Sequence, residues 1–467
     1  MVETSQTHRA ELEHVPSAAD FADAISDDPA SAGLLSESEV ESLLRGHAAM
    51  ETVSKEQAQS DVSLLFRTLQ SAYGAYEYFG QEKFDAAEDA VTQWLSSQDD
   101  EIKVSALGEK LQESLAFMLA HDAHAVIYEP AAEEIEAQVR YEYFFADGFF
   151  FSKDVNGSYY MVNDGERWTL SSFSDEHVSV QPTLLQDGRI VYQPTLFALR
   201  KDAVQSSVTL KNSSGKAKIY RLDWTESQPL DVDLGTLDYR LIQEDGLTYV
   251  SLRSLVSGTY DNMLARYARE GAKARGSKAV IYDLRGNVGG SDSWPRKWIQ
   301  SFLGTQNSIE TSMLYAQKNS ALFAAENSES LLPEDEGTCF AREVHGTWYE
   351  NDIPIIVLVD DHCGSSGEGA VQLLKTLDNV LVVGSNTAGY QLCGNISTFT
   401  LPYTGIGVRF GSTLFLYGDG ENVDHRGYVP DVWCDPQDAL ASVLALLKEQ
   451  GVVSADACET VREKIVK

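Results

Sequence analysis

The chain has 467 residues, 43% of them hydrophobic and 10% aromatic, which is enough for two or three globular domains with apolar cores. Its formal net charge of −35, from 71 acidic and 36 basic side chains, argues against binding to nucleic acid or to anionic membranes. No segment approaches the ~20 apolar residues of a membrane span. The five cysteines are Cys339, Cys363, Cys393, Cys434 and Cys458. Their spacing matches no zinc-binding pattern, and an odd, scattered set argues against a disulfide framework, although one disulfide bond within residues 339–393 stays open.

Residues 1–48 are predicted to be an acidic, flexible tail, with a weak helical pattern from Glu37 to Leu44. The segment Met1–Gln6 has neither a basic stretch nor an apolar core, so it does not look like a signal peptide. This predicts a cytoplasmic protein, or an extracytoplasmic one if an export signal has been removed.

Residues 49–134 are predicted to be a helical region. Apolar side chains recur there every three or four residues in three stretches, which predicts three amphipathic helices before residue 120. The apolar positions are Val62, Leu65, Phe66, Leu69, Tyr73 and Tyr76, then Phe84, Ala87, Val91, Trp94 and Leu95, then Leu107, Leu111, Leu115 and Met118.

Residues 135–225 have the pattern of an antiparallel β-rich module. Aromatic and β-branched runs alternate there with turn pairs such as Asp147-Gly148, Asn156-Gly157 and Asp164-Gly165. Residues 226–450 then alternate apolar strands with helical patterns, which predicts an α/β core. Residues 451–467 are predicted to be a C-terminal tail.

The most informative segment of the α/β core is Cys363-Gly-Ser-Ser-Gly-Glu368, which joins an apolar strand to a helix. A serine at such a turn has its hydroxyl beside the unpaired N–H groups of the helix, which favour the negative charge of an attacked carbonyl oxygen. The turn therefore predicts a nucleophile at Ser365. Ser365 followed by Glu368 is also the pattern of a helix-capping box, so a purely structural interpretation stays open.

A glycine-rich loop, Asp283-Leu-Arg-Gly-Asn-Val-Gly-Gly290, follows another buried strand. Its glycines permit tight turns and close approach of a substrate chain, and its N–H groups can complete an oxyanion hole with the N–H of Ser366. We therefore select Gly286, Gly289 and Gly290 as candidate donors. The alternative is a structural turn in which Asp283 and Arg285 form an ion pair.

Taken in order, these motifs resemble the C-terminal processing (tail-specific) serine proteases. The resemblance covers roughly residues 60–450 and adds Gly384-Ser-Asn-Thr387 and Gly427-Tyr-Val-Pro-Asp431 to the two segments above. It implies a crotonase-like α/β protease core behind a helical N-terminal region, a peptide or protein substrate, and no cofactor or metal. A PDZ domain is common in this family, but no convincing carboxylate-binding loop is found, so the β module is either a degenerate PDZ-like module or an unrelated one.

The general base departs from the familiar members of this family. They use a lysine after a glycine, where this chain has Gly389-Tyr390, and Lys375 lies on the following helix with no reason to point back. The resemblance is closer to the branch typified by the tricorn core protease, which uses a histidine from the helical region. By that resemblance His124 is the base and Asp424 the acidic partner, so that Ser365, His124 and Asp424 form a triad.

Several alternatives stay open at this point. His121, His362, His425 and Cys363 are rival reactive groups, Tyr390 is a candidate for lining the substrate pocket, and Glu368 supports the turn whether or not the protein is an enzyme. The rival functions are a catalytically inactive protein that binds peptides or apolar ligands on the same fold, and an acyl-CoA enzyme of crotonase type. The sequence does not indicate the oligomeric state.

Overall fold

The computed structural model describes residues 1–25, 34–128, 141–199, 206–258, 260–326 and 337–466. These residues form a mixed α/β structure with one long sheet, two five-stranded sheets and a two-stranded ribbon. Within them, no helix is long and apolar enough to cross a bilayer.

The N-terminal part is mainly helical, as the sequence predicts. Its elements are α1 (Val2–Glu13), a 3-10 turn (Ala22–Ala24), α2 (Glu37–Leu44), β1 (Thr52–Ser54), α3 (Lys55–Ala72), α4 (Tyr76–Phe79), α5 (Gln81–Ser97), β2 (Glu101–Lys103), α6 (Val104–Ser114), α7 (Ala116–Leu119) and β3 (Val126–Tyr128). The three predicted amphipathic helices are confirmed as α3, α5 and α6. A capping box begins α3, because the Ser54 hydroxyl accepts the N–H of Gln57 and the Gln57 side chain accepts the N–H of Ser54.

The first residues differ from the predicted flexible tail. Residues 26–33 of that prediction lie outside the described residues, but α1 and α2 both pack against the rest of the chain. On α1, His8 is 2% exposed and its Nε2 lies 2.9 Å from Oδ1 of Asp431. Leu43 of α2 is fully buried. The helix α1 escaped sequence reasoning because polar side chains make these contacts, so no apolar stripe marks the buried face.

The middle of the chain is built of strands: β4 (Tyr141–Ala146), β5 (Ser152–Lys153), β6 (Tyr159–Asn163), β7 (Glu166–Phe173), β8 (Val178–Leu184), β9 (Ile190–Leu199), β10 (Ser206–Lys211), β11 (Ala217–Leu222) and β12 (Trp224–Glu226). The hairpin between β6 and β7 has φ 52° at Asp164 and φ 77° at Gly165. Two positive φ values are the signature of the type I′ turn that Asp-Gly favours.

This β region is not separate from the α/β core. Strands β5, β6, β7, β10 and β11 form their own sheet, but β4, β8, β9 and β12 extend the long sheet of the core. The junction is a parallel pairing of Thr183 on β8 with Trp433 near the end of the chain. The predicted boundary between residues 135–225 and 226–450 is therefore not a break in the sheet, and residues 129–140 and 200–205 lie outside the described residues.

The α/β core contains β13 (Arg240–Glu244), β14 (Leu247–Ser251), α8 (Asp261–Glu270), a 3-10 helix (Gly271–Gly276), β15 (Ala279–Asp283), α9 (Ser293–Leu303), β16 (Met313–Lys318), α10 (Ala321–Glu326), β17 (Cys339–Val344), β18 (Ile355–Val359), α11 (Ser366–Leu374), β19 (Val380–Gly384), β20 (Cys393–Thr400), β21 (Gly407–Tyr417), β22 (Val432–Trp433), α12 (Ala439–Glu449) and α13 (Ala455–Val466). Among the described residues, the long sheet has the strand order β12-β4-β9-β8-β22-β19-β18-β15-β14-β13.

The centre of this sheet is buried on both faces, because helices cover each side. Strands β14, β15, β18, β19 and β22 run parallel, and β14, β15, β18 and β19 are buried along their whole length. On β15, Val280 packs toward α8 and α9, whereas the next residue, Ile281, packs toward α12 and α13. This alternation explains the continuous apolar runs in the sequence.

The C-terminal segment also differs from the predicted tail. Residues 455–466 form α13, on which Val461 is fully buried and Cys458 is 8% exposed. The Nη1 of Arg240 donates to the carbonyl of Ile465, and Lys464 pairs with Glu244. The apolar side chains of α13 recur only about once a turn, a pattern too short to separate from a charged tail, but they cover the β13 end of the long sheet.

The third sheet links the helical region to the core. It has the order β17-β16-β21-β20, and β3 adds to β21 with Val126 opposite Arg409. His124 lies two residues before Val126, so this pairing holds the candidate base beside the α/β core.

Candidate active site

Ser365 lies at a strained turn between β18 and α11. Its backbone has φ 53° and ψ −123°, a region that residues with a Cβ rarely adopt and that costs about 1–3 kcal/mol. The helix begins at the next residue, so its first N–H groups lie beside the serine. A serine held in this way stands clear of the sheet edge, as it does in a nucleophile elbow.

The glycine-rich loop packs directly against this turn. Gly289 has φ 98°, and a Cβ added to it would lie 2.8 Å from the Cβ of Ser365 and 2.8 Å from the carbonyl oxygen of Gly364. The Ser366 hydroxyl donates to the carbonyl of Gly290 over 3.0 Å. Only a residue without a side chain fits at Gly289, so the loop and the turn form one surface.

Two of the three glycines selected as oxyanion donors are engaged elsewhere. The N–H of Gly286 donates to the Asp360 carboxylate over 2.8 Å, and the N–H of Gly289 donates to Oδ1 of Asn287 over 2.9 Å. Both bonds shape the loop itself. The assignment of Gly286 and Gly289 as oxyanion donors is therefore wrong in this conformation, because their hydrogens point into the loop.

The other two candidate donors have no such partner. Within the described residues, neither the N–H of Gly290 nor that of Ser366 makes a hydrogen bond. Ser366 is the first residue of α11, where the N–H groups of a helix have no intrahelical acceptor. These two N–H groups remain the candidate oxyanion donors.

The first residues of the loop form a buried ion cluster. Asp283 is fully buried and accepts from Arg253 and Arg285, with Nη2 of Arg285 2.6 Å from its Oδ2. Burial alone would raise the pKa of Asp283, but the two guanidinium groups hold it well below its usual value. The structural interpretation of the Asp283–Arg285 pair is confirmed.

Glu368 ties the serine turn to the neighbouring loop. Its fully buried carboxylate accepts four hydrogen bonds, from the N–H of Ser365 at 3.0 Å, the hydroxyl of Thr387 at 2.5 Å, and the N–H groups of Gly389 at 2.9 Å and Tyr390 at 2.8 Å. Burial raises the pKa of Glu368 and these donors oppose the shift. The carboxylate thereby fixes the backbone of Ser365, as its supporting role predicts.

Asp424 contacts the backbone rather than the imidazole ring. Its Oδ2 accepts the N–H of Ala123 at 2.9 Å, and its Oδ1 accepts the N–H groups of Gln391 at 2.7 Å and Leu392 at 2.8 Å. No hydrogen bond joins it to the His124 ring among the described residues. The predicted role of Asp424 as the group that orients the imidazole therefore differs from the structure, because both oxygens are occupied by main-chain donors.

A second buried carboxylate lies beside Asp424. Asp122 is fully buried and accepts the hydroxyl of Tyr73 at 2.8 Å and the N–H of His124 at 2.9 Å. Burial raises the pKa of both carboxyl groups, and the charge of Asp122 raises that of Asp424 further. The pair holds the turn that carries His124 from both sides.

His124 is 8% exposed, and a hydrogen bond with the backbone of Cys393 favours the charged form of its ring. Its Nδ1 is buried and has no hydrogen-bond partner within the described residues. Burial and the nearby charge of Arg409 lower its pKa to about 3, so the ring is neutral at pH 7. The ring lies edge-to-face with that of Tyr390 at 5.1 Å between centroids.

Tyr390 and Gln391 connect the two halves of the site. The Cδ2 of Tyr390 lies 3.2 Å from where a Cβ of Gly364 would stand, and the Gln391 side chain donates to the carbonyl of Ser365 over 2.9 Å. The structure thus brings Ser365 and His124 to one loop. Within the described residues it makes no direct hydrogen bond between them.

Among the described residues, none of the rival reactive groups makes a hydrogen bond to Ser365. Cys363 is fully buried, and burial raises the pKa of its thiol, which disfavours the reactive thiolate. Lys375 pairs with Glu11 of α1, so its ammonium group is engaged away from the serine. Nδ1 of His362 and Nε2 of His425 are buried without hydrogen-bond partners among the described residues.

Sequence reasoning missed Asp122, Gln391 and Arg409 as parts of the site. The sequence contained a signal for Asp122, which is the acidic residue of the Asp-x-His pattern that ends at His124. Nothing in the sequence indicated that the Tyr73 hydroxyl would donate a hydrogen bond to it. Gln391 and Arg409 carry no motif, because each contacts a backbone carbonyl that is remote in sequence. Cys363, Cys393, Cys434 and Cys458 form no disulfide bond, and within the described ranges no three His, Cys, Asp or Glu side chains cluster as metal ligands.

Comparison with known proteins assigns a class to this part of the chain. Residues 246–433 match Peptidase family S41, a range that contains Ser365, Glu368 and Asp424 but not His124. No curated protein sequence matches the chain. The family match supports a peptidase, and hence a peptide or protein as the substrate.

Solved structures that resemble the chain include proteases. Mature CPAF is 14% identical over 85% of this chain and 98% of its own, with a TM-score of 0.43. A photosystem II D1 C-terminal processing protease is 16% identical over 81% of this chain and 93% of its own, with a TM-score of 0.38. A putative peptidase from Parabacteroides merdae is 16% identical over 86% of this chain and 100% of its own, with a TM-score of 0.40. Because these similarities are remote, residue roles are assigned from this chain's own geometry.

Proposed function

We propose that the protein is a serine endopeptidase of the tail-specific type, with a crotonase-like core and Ser365 as its nucleophile. The observation that carries this proposal is the strained backbone of Ser365, with φ 53°, at the start of α11 and against Gly289. Strain of this kind persists only where the surroundings impose it, and it is characteristic of functional turns. The turn lies inside the segment that matches a peptidase family.

The proposed reaction begins when the Ser365 hydroxyl attacks a peptide carbonyl. The N–H groups of Ser366 and Gly290 would receive the negative charge that develops on the carbonyl oxygen. His124 would take the serine proton, give it to the leaving amine, and then activate the water that hydrolyses the acyl-enzyme. The neutral ring of His124 is in the protonation state that a base requires.

Binding of substrate must complete this arrangement. The imidazole now contacts Tyr390, which lies beside Gly364, so a small displacement of the Tyr390 loop would open a path between His124 and Ser365. Catalytic hydrogen bonds commonly shorten only when the substrate is bound. Asp424 then acts as a positioning residue, since it holds the backbone at Ala123 and at Gln391.

A catalytically inactive binding protein is the second candidate. The observation in its favour is the His124 ring, whose buried Nδ1 has no hydrogen-bond partner among the described residues and therefore no carboxylate that orients it. Such a protein would hold peptides beside Ser365 without cleaving them.

A fluorophosphonate probe separates the two candidates. We expect the wild-type protein to be labelled at Ser365, Ser365→Ala to be unlabelled, and Ser366→Ala, which keeps its N–H, to be labelled. His124→Gln should lower the labelling rate by at least a hundredfold, whereas His121→Gln, at a more exposed histidine nearby, should not. Equal labelling of the wild type and Ser365→Ala, or none in any variant, would remove the proposed activity.

A further inference from the structure

Arg409 stands out among the cations near the site. It lies on β21, and its Nε donates to the backbone carbonyl of His124 over 3.0 Å. The guanidinium is therefore adjacent to the proposed general base. Arg409 is only partly buried, so its remaining donors can be reached from outside.

No carboxylate of the described residues forms an ion pair with Arg409. Within the described residues, Arg409 has no Asp or Glu oxygen within 4.0 Å, and its two terminal nitrogens donate no hydrogen bond. The two buried arginines of the core, Arg253 and Arg285, both pair with Asp283. A guanidinium with no carboxylate partner in the described part of the chain is unexpected in a sequence with 71 acidic side chains.

The surroundings of Arg409 form an accessible surface. Directly paired residues on neighbouring strands share a face, so Val126 on β3 and Thr398 on β20 flank Arg409 on the same side of the sheet. We call these three residues the outer shelf. Thr398 is exposed and Val126 partly so, whereas the next row, with Val408 at its centre, is buried. The shelf is thus on the solvent side of the sheet, and Arg409 links it to the backbone of His124.

We propose that Arg409 binds a carboxylate group of the peptide substrate on the outer shelf. The planar guanidinium presents parallel N–H donors that match a carboxylate, and nothing in the described chain competes for them. The carboxylate comes either from an acidic side chain or from the end of a peptide. This proposal rests on the proposed function for the identity of the ligand as a peptide, and it defines a feature of the substrates.

A bound carboxylate would also affect the proposed base. Burial, and after it the charge of Arg409, lower the pKa of His124. An anion on Arg409 would cancel part of the second contribution, so the imidazole would become a stronger base only when the correct substrate is present. The groups that face His124 in this argument are Arg409, Tyr390, Cys393 and the backbone beside Asp122.

The experiment measures binding without turnover. Ser365→Ala protein is titrated into four alanine hexapeptides that carry an N-terminal dansyl group, a fluorophore without a carboxylate. One peptide has a free C-terminus, one is amidated and has a single glutamate, one has both carboxylates and one is amidated with neither. Fluorescence anisotropy gives each Kd at 0.15 M NaCl. The same titrations use Ser365→Ala combined with Arg409→Gln, with Arg409→Lys, or with Arg221→Gln, an exposed arginine of the β region that serves as the charge-matched control.

We expect at least one single-carboxylate peptide to bind about tenfold more tightly than the neutral one. Arg409→Gln should abolish that difference without weakening the neutral peptide, Arg409→Lys should keep part of it, and Arg221→Gln should leave it unchanged. The peptide that shows the difference identifies the source of the carboxylate. Equal affinity for all four peptides, no detectable binding, or an equal loss for all four with Arg409→Gln would overturn the inference. Carboxylate-dependent binding in a protein whose Ser365 resists labelling would leave the inference standing and refute only the peptidase.

Discussion

Replacing Asp424 with asparagine separates two roles that a triad carboxylate can have. In the structure its two oxygens accept three main-chain N–H groups, from Ala123, Gln391 and Leu392. An asparagine keeps one carbonyl oxygen, which can still serve Gln391 and Leu392, but turns an amide group toward the N–H of Ala123. The substitution should therefore cost stability as well as activity.

The magnitude follows from the bonds that change. A buried N–H left without an acceptor costs about 1–3 kcal/mol, and loss of the charge weakens the other two bonds by roughly half, or about 1 kcal/mol in total. Removal of the repulsion from Asp122 offsets part of this cost. We expect Asp424→Asn to lower the free energy of unfolding by about 2 kcal/mol.

Urea unfolding followed by tryptophan fluorescence at pH 7 measures this loss, and peptide hydrolysis by the same samples measures kcat/KM. The control is Asp231→Asn, an exposed aspartate for which no hydrogen bond is described, and it should leave both quantities unchanged. If Asp424→Asn reduced kcat by a thousandfold or more with an unchanged unfolding midpoint, the carboxylate would act on the imidazole directly and the positioning role would be wrong.

Three further predictions test other features. Gly289→Ala should lower both the melting temperature and the labelling of Ser365, because the new Cβ would lie 2.8 Å from the Cβ of Ser365 at a residue with φ 98°. The control is Gly235→Ala, whose Cβ would have no atom within 4 Å and which should leave the labelling unchanged. Equal effects of the two substitutions on the labelling would contradict the close packing of Gly289 against Ser365. The raised pKa values of Asp122 and Asp424 mean that the folded state holds their protons more tightly than the unfolded chain, so the stability they contribute at low pH is lost as the pH rises through the folded values. The urea midpoint of Asp122→Asn should therefore fall less than that of the wild type between pH 5 and pH 8. If the midpoints of the two proteins changed equally with pH, the raised pKa values of Asp122 and Asp424 would be refuted. The net charge of −35 should make the urea midpoint rise with NaCl from about 0.05 to 1 M, because the screening length shortens to roughly 3 Å, and an unchanged midpoint would show that self-repulsion is unimportant.

The parts of the fold that the sequence predicted are those set by local pattern. Continuous apolar runs marked β15, β18 and β19, and the Asp164-Gly165 pair marked a hairpin, since each signal depends on neighbouring residues alone. The serine turn belongs to the same class. Its strand, its cap and its helix are all encoded within a short stretch around Ser365.

The parts that the sequence could not supply depend on contacts between remote segments. Asp424 reaches the N–H of Ala123, 301 positions away in the chain, and a main-chain donor has no sequence signature. The same holds for Gly286, whose N–H turns toward Asp360, 74 positions away, whereas the N–H of Gly289 turns toward Asn287 within its own loop. Motif order identified which segments meet, but not which atoms do.

The pairing of Thr183 with Trp433 has a consequence for dissecting the protein. The long sheet contains strands from both the β region and the α/β core. A fragment of residues 226–450 would therefore lack β8, and β22 would become an edge strand with unpaired backbone groups next to apolar side chains such as Val432. A fragment cut at that position should self-associate. The minimal soluble unit is then larger than the segment that carries the serine, and any shortened version should retain the strands that cap this edge.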